Sequence, residues 1–126
     1  MKTQGEIEAA VSKGVTIFMQ EFMGRGPKDI CTHLIRDLLV VRLHGVLSAA
    51  EQHLVAALPV DKGRDLLKGV RTNLVEVSRT RLEKMVGESS GMRCISLHHD
   101  VSTITGEEVF VFTLAQAPDM RTAKTR

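Results

Sequence analysis

A run of helical periodicity from about Asp61 to Glu88 is the sequence feature that most constrains this chain. At a rise of about 1.5 Å per residue, one helix over that span is about 40 Å long. A chain of 126 residues has room for a single hydrophobic core, so such a helix must be the central support of one small domain. Its surface exceeds what one sheet can cover. The run therefore predicts a long helix that packs on a sheet and also contacts a partner subunit.

The predicted helix sorts its side chains into three faces when successive residues are placed 100° apart. An apolar face predicts the surface that packs on the sheet, and the two other faces carry opposite charges. The apolar sector contains Leu66, Leu67, Val70, Leu74, Val77 and Met85, the basic sector Arg64, Lys68, Arg71 and Arg79, and the acidic sector Asp65, Glu76 and Glu83.

Shorter elements surround this run. Apolar residues at helical spacing predict an amphipathic helix from about Gly5 to Met23, which the segment GRGPKD ends because glycine and proline do not continue a helix. Two apolar runs flank the dipeptide Arg36-Asp37 and predict a hairpin. Ser48 and Glu51 have the spacing of a capping box, which begins a short helix before Pro59. The predicted strands are 29–35 and 38–44, and a second hairpin is formed by MRCISLHHDV and EEVFVFTL.

The order helix, hairpin, two helices, hairpin predicts an α+β fold. Its sheet has four antiparallel strands from two hairpins, with the helices packed on one face. We expect one domain over residues 1–116 and a disordered basic tail over 117–126.

The composition excludes several functions. The formal net charge is only +2 and the chain has neither Trp nor Tyr, so nucleic-acid binding is not expected. No apolar run approaches the roughly 20 residues that a membrane span needs, and the N-terminus lacks the apolar segment of a signal peptide. These features predict a soluble cytoplasmic protein, which reaches the inner face of a membrane only through a partner.

The stretch SLHHDVST contains the most obvious candidate metal ligands. In a regular strand His98 and Asp100 share one face while His99 points to the other, so the triplet offers at most two ligands to one ion. Cys31 with His33, or Cys94, could complete a site only if the strand order brought them close. The alternative is structural: histidines of a sheet, with Asp100 and Ser102 shaping a turn through side-chain to backbone hydrogen bonds. The spacing favours this alternative, and we expect no metal and no cofactor.

Catalysis has little support in the sequence. Cys94 and His98 share a strand face but lie roughly 13 Å apart at about 3.3 Å per residue, which is too far for proton transfer. The segment GRGPKD lacks the glycine spacing of a phosphate-binding loop. We therefore expect that the protein is not an enzyme.

The basic stripe of the long helix, Arg64, Lys68 and Arg71, could bind a small anion or an acidic partner. The alternative is an ordinary solvated face, since charged stripes are common on exposed helices.

Four segments together carry a resemblance: GRGPKDI, DLLVVRLHGVLSAAEQHLV, GRDLLKGVR and SGMRCISLHHDVSTITGEEVFVFTL. They resemble the MpsC-like domain family, small bacterial proteins of unknown function, over about residues 3–116. Arg36 departs from this resemblance because a glycine is expected at that turn. The positions that match the family motif are Gly24, Gly26, Pro27, Gly45, Glu51, Gly63, Asp100 and Gly106.

The resemblance implies association with a sodium-translocating, membrane-potential-generating system linked to inorganic carbon uptake. A chain without a span cannot itself move ions across lipid. The leading hypothesis is a non-enzymatic accessory or regulatory domain, expected to be a homodimer, with membrane transporter subunits as further partners. The alternative hypothesis is a small-anion sensor that uses Arg64, Lys68 and Arg71.

Overall fold

The computed structural model describes residues 1–122. These residues contain four α-helices and four β-strands, and the strands occur as two hairpins separated by helices. The elements are α1 (Gln4–Phe18), which a π-helical turn (Met19–Met23) continues, β1 (Asp29–Ile35), β2 (Leu38–His44), α2 (Ala49–Ala57), α3 (Val60–Val77), α4 (Arg79–Ser90), β3 (Cys94–Val101) and β4 (Glu108–Leu114).

The four strands form one antiparallel sheet in the order β1-β2-β4-β3. The two strands of each hairpin pair with each other, β1 with β2 and β3 with β4. The pairing of β2 with β4 connects the two hairpins. Alternate residues of β2 and β4 are buried, the inward residues of β1 and β3 are buried or half-buried, and α1, α3 and α4 contact strands of this sheet. The predicted α+β fold with a four-stranded antiparallel sheet is therefore confirmed. The buried apolar residues of the strands are Leu34, Leu39, Val41, Leu43, Cys94, Leu97, Val101, Phe110, Phe112 and Leu114.

The long helix predicted over residues 61–88 is divided at Ser78, so three helices and not two separate the hairpins. Ser78 has φ −104° and ψ 8°, and its N–H donates to the Val75 carbonyl at 3.1 Å. The segment contains no proline or glycine at this point. The break falls where the helical neighbour changes: α3 contacts α2 and β3, whereas α4 contacts α1 and β3.

The buried face of α3 also differs from the prediction. Leu66, Val70 and Val77 were expected to face the sheet but are exposed. Compared with the prediction, the buried face of α3 is rotated around the helix axis by less than the angle between two successive residues. The reason is that Arg71 enters the core, where carboxylates bind it. The buried residues of α3 are Gly63, Leu67, Arg71 and Val75.

An irregularity in the pairing of β3 with β4 lies between Cys94 and Ser96. Cys94 is buried and Ile95 is exposed, which reverses the faces predicted for these two residues. From Ser96 to Val101 the predicted alternation holds. At the first hairpin, Arg36 has φ +59°, which is the conformation that favours glycine.

The described part of the predicted tail lies against the N-terminus. Arg121 donates its backbone N–H to the Lys2 carbonyl at 2.9 Å and its guanidinium to Glu6 at 3.1 Å. Residues 123–126 of that predicted tail lie outside the described residues. Between residues 1 and 122, no helix combines the length and the apolar character that crossing a membrane requires.

Candidate functional site

Arg71 is the centre of the site. It lies in the middle of α3, one turn from Leu67 on one side and Val75 on the other, and both neighbours are buried. This position carries its side chain into the core, where only 2% of the residue is exposed. A guanidinium in such a place is stable only when carboxylates and carbonyl groups accept its hydrogen bonds.

Two carboxylates and one carbonyl accept these hydrogen bonds. Glu51, in the first turn of α2, receives Nε at 3.1 Å and Nη2 at 2.8 Å, which is a bidentate pair. Glu108, the first residue of β4, receives Nη1 at 3.1 Å. The carbonyl of Val46, in the loop before α2, receives Nη2 at 3.0 Å. Arg71 thus connects its own helix, α3, with α2, with the loop before α2 and with strand β4 of the sheet.

His99 extends this network across the sheet. Glu108 is fully buried, and its second oxygen lies 2.5 Å from His99 Nε2 on β3. Because a carboxylate only accepts, Nε2 carries the hydrogen in this bond. The imidazole lies against the Phe110 ring, with 4.8 Å between the centroids. Within residues 1–122, His99 Nδ1 is the buried side-chain polar atom that has no hydrogen-bond partner.

Two carboxylates, those of Glu51 and Glu108, face one guanidinium in this network. Burial raises the pKa of the Glu51 carboxyl, but hydrogen bonds from Arg71 and from the Ser48 amide outweigh that effect and hold the pKa below its ordinary value. Ser48 and Glu51 form the predicted capping box, so one carboxylate both caps α2 and binds Arg71.

A shallow cleft lies beside the network, between α3 and the turn that joins β3 to β4. It has a volume of about 280 Å³, and Arg64, Lys68, Asp100 and Glu107 line it. Lys68 lies 3.1 Å from Asp100. Burial raises the pKa of Asp100, but the hydrogen bonds from Lys68 and from the Val101 amide lower it more, so the pKa lies below its ordinary value.

The structure separates the predicted basic stripe. Arg64 and Lys68 line the cleft, whereas Arg71 is buried in the core and bound to Glu51 and Glu108. Arg71 is therefore not part of an exposed stripe, because its carboxylate partners draw it into the core. The remaining cations also have acidic neighbours, since Arg64 pairs with Asp65 at 3.2 Å.

The histidine and aspartate triplet lies as the strand period predicts. His98 and Asp100 are exposed, while the His99 side chain is buried on the opposite face. Cys31 contacts His33 across 3.2 Å on the exposed side of β1, which is the far edge of the sheet from β3. In the described part of the chain, no group of three or more His, Cys, Asp or Glu side chains could hold a metal ion.

The motif positions that the resemblance named are mostly turns and close contacts. A Cβ at Gly63 would lie 3.2 Å from the Val55 Cα, so glycine there lets α2 and α3 approach closely. Gly26 and Pro27 form the corner before β1, and Asp100 accepts the Val101 amide. The glycines with positive φ are Gly24, Gly45, Gly91 and Gly106.

Sequence reasoning missed Glu108 and His99 as members of a site. A signal for Glu108 existed: it lies two residues before Phe110 and four before Phe112, on the face that is otherwise apolar. A charged residue in such a row implies a buried partner of opposite charge. No comparable signal in the sequence identifies that partner as Arg71.

The fold and this network define a class: a small α+β domain in which buried ion pairs attach a helical layer to one face of a sheet. The chain matches the family described as "Na+-translocating membrane potential-generating system (MpsC)" over residues 3–116, and it belongs to that family. This confirms the resemblance that the sequence motifs carry.

Two relatives from Bacillus subtilis (strain 168) extend the comparison. The chain is 34% identical to "Uncharacterized protein YbcI" over 113 residues. This alignment covers 90% of this chain and 89% of that protein. It is 31% identical to "Uncharacterized protein YrhF" over 102 residues. This alignment covers 79% of this chain and 80% of that protein. No solved structure matches the chain at a significant level.

Proposed function

We propose that this protein is a non-enzymatic accessory or regulatory domain of a membrane ion or inorganic-carbon transport system. The observation that carries the proposal is the family match over residues 3–116, whose description names a membrane-potential-generating system. The protein acts in the cytoplasm as a homodimer, and transporter subunits hold it at the inner face of the membrane.

The geometry of the helical layer supports a regulatory role. The helix α2 has no buried residue, and Glu51 is the side chain through which it joins the ion network. Besides this ion pair, α2 is held by the partly buried Val55, and an element with little buried surface can adopt a second position when a partner competes for its contacts. The network thus offers a way for partner binding at α2 to reach the sheet.

The proposal is tested in cells of the native host that lack this chain. We expect a smaller membrane potential in sodium medium, slower uptake of inorganic carbon, and recovery of both when the chain is restored. The same cells in potassium medium are the control, because a sodium-dependent system is inactive there. An unchanged potential and an unchanged uptake in sodium medium would contradict the proposed association.

The cleft beside α3 supports one second candidate, a small-anion sensor. It places Arg64 and Lys68 at one opening, although Asp100 and Glu107 line the same opening and oppose an anion. Bicarbonate or phosphate should then raise the melting temperature, and replacing Arg64 and Lys68 by Ala should abolish that shift. Arg71→Ala cannot serve here because Arg71 is buried. No shift with either anion would exclude this candidate.

A further inference from the structure

The helix α3 exposes an apolar stripe that no other part of the described chain covers. Leu66, Val70 and Val77 are 49%, 50% and 80% exposed. Together with Asn73 they are spaced four, three and four residues apart, which places them along one line of the helix. This spacing is the one that lets two helices pack side by side at a shallow angle.

Charged residues border the stripe in a pattern that is complementary to itself. Lys62, Gly69 and Glu76 follow one another at intervals of seven residues and therefore lie along one flank of the stripe. All three are exposed. Lys62 and Glu76 each lie about 10 Å from Gly69 along the helix axis, in opposite directions.

A two-fold axis through Gly69 exchanges these charges. If a second copy packs with its α3 antiparallel, Lys62 of one copy lies opposite Glu76 of the other, and the pair occurs twice. Leu66 then lies against Val70 and Asn73 of the second copy. A contact between identical surfaces about a two-fold axis requires this kind of self-complementarity.

The residue at the axis permits close packing. A Cβ added at Gly69 would meet nothing within 4 Å in one copy, so the glycine is not explained by crowding within the chain. Glycine in the middle of a helix costs about 0.8 to 1.0 kcal/mol relative to alanine, and where two helices cross it lets the backbones approach.

We propose that two copies of this chain associate through antiparallel α3 helices, with Lys62 of each copy paired to Glu76 of the other. The inference rests on the homodimer in the proposed function and names its surface. A single helix pair buries less than the roughly 1,600 Å² of a standard interface, so the dimer is weak and depends on protein concentration. Glu76 also lies 3.3 Å from Arg79 within its own chain, and the intermolecular pair shares this carboxylate.

The test uses sedimentation equilibrium of the full chain and of charge-reversed variants over a range of protein concentrations. Lys62→Glu and Glu76→Lys should each raise the dimer Kd about tenfold or more, because the two-fold axis introduces each like-charge contact twice. The variant with both changes should return to within about threefold of the wild-type Kd, since the charges are exchanged and the pairs remain.

The weakened homodimers of the single variants, together with their mixture, distinguish this geometry from a parallel one. One variant then carries acidic residues at both positions and the other carries basic residues at both, so an antiparallel pair joins opposite charges twice. We expect a heterodimer tighter than either variant's homodimer. In a parallel arrangement positions 62 and 76 each meet their own copies, so a single charge reversal replaces one like-charge contact by another and leaves the homodimer Kd near that of wild type.

Two controls exclude loss of folding and general charge effects. Lys62→Glu lies in the first turns of α3 and Glu76→Lys near its end, so both changes suit the helix dipole and leave the helix stable, which circular dichroism checks. Asp37→Lys makes a charge reversal of the same sign as Glu76→Lys at an exposed position in the β1–β2 turn, outside α3, and should leave the Kd within about twofold.

Each remaining outcome overturns the inference. A wild-type dimer that does not respond to the charge reversals, or single variants that form no heterodimer, would overturn this surface and leave the proposed homodimer standing. A wild-type chain that stays monomeric would overturn both the surface and the homodimer. The assays of membrane potential and carbon uptake test the transport association independently of these results.

Discussion

Arg71 lies in the core because Glu51 and Glu108 meet it there. Removing both members of a buried ion pair is often tolerated, whereas removing one leaves an isolated charge in a medium that cannot solvate it. The loss of one member of the pair therefore lowers the free energy of unfolding by more than the net strength of the pair suggests. For a domain of this size the total free energy of unfolding is only about 5 to 15 kcal/mol, so one isolated charge is a large fraction of it.

We predict that Arg71→Ala lowers the free energy of unfolding by about 3 to 5 kcal/mol, because Glu108 remains buried without its guanidinium. Chemical denaturation followed by circular dichroism measures the change. Combining Arg71→Met with Glu108→Gln should cost less than the sum of the single changes, since no buried charge of this pair is left alone. Arg64→Ala, at an exposed position, should stay within about 0.5 kcal/mol of wild type. Additive single effects would contradict direct coupling.

The Glu51 carboxyl predicts a loss of stability in acid. Its pKa is lower in the folded protein than its ordinary value of 4.5, so the folded state binds a proton there less readily than the unfolded state. The stabilisation is complete above about pH 5 and disappears as the pH falls through 4.5 and then through the lower folded pKa. We predict a flatter dependence of stability on pH in Glu51→Gln than in wild type, below about pH 5.

Chemical denaturation from pH 7 to pH 3 tests this dependence. Glu6→Gln is the matched control, because Glu6 also caps a helix and has a lowered pKa but lies outside the ion network. Equal slopes for wild type and Glu51→Gln would show that Glu51 does not couple folding to protonation.

At the scale of the elements, the contact between α2 and α3 depends on Gly63. A Cβ at this position would lie 3.2 Å from the Val55 Cα, and backbone of a helix cannot move away alone. The gain in helix propensity from alanine, up to about 1 kcal/mol, is smaller than the cost of separating two packed helices. The close approach thus determines where α2 lies and keeps Glu51 within reach of Arg71.

We predict that Gly63→Ala lowers the free energy of unfolding by about 1 kcal/mol or more. Gly87→Ala in α4 is the control, because its Cβ would meet only the Met92 carbonyl at an ordinary 3.7 Å. That change should raise the free energy of unfolding by about 0.5 to 1 kcal/mol through helix propensity. Thermal and urea denaturation give both values. Equal effects of the two substitutions would show that Val55 does not limit the position of α2.

At the scale of the whole molecule, stability is distributed unevenly. The apolar core lies between the sheet and the helices α1, α3 and α4, whereas α2 contributes no buried residue. Segments with little buried surface open locally at a lower free energy than the rest of the fold. The helix α2, at which partner binding is proposed to act, is therefore also expected to open more readily than α1, α3 and α4.

We predict that amides of α2 exchange with deuterium at least about tenfold faster than those of the central strands β2 and β4. Hydrogen exchange monitored by NMR or mass spectrometry measures the rates by segment. Glu51→Gln should accelerate exchange in α2 and leave β2 unchanged. Uniform protection over α2 and the strands would contradict an independently opening α2.

Much of the fold followed from the sequence because its local signals do not depend on distant residues. Strand alternation, the Ser48 and Glu51 capping box and the glycine-proline corner after α1 are determined by residues near one another in the chain. The opposite orientation of His98 and His99 follows from the strand period in the same way.

The break at Ser78 and the burial of Arg71 were decided only by the tertiary structure. No proline or glycine marks the break, which falls where the helical neighbour changes from α2 to α1. The carboxylates that bind Arg71 come from positions 20 and 37 residues away, and pairing over such distances depends on the strand order and the helix positions. Helical periodicity describes which residues share a face, whereas the direction of that face depends on the groups that meet it in space.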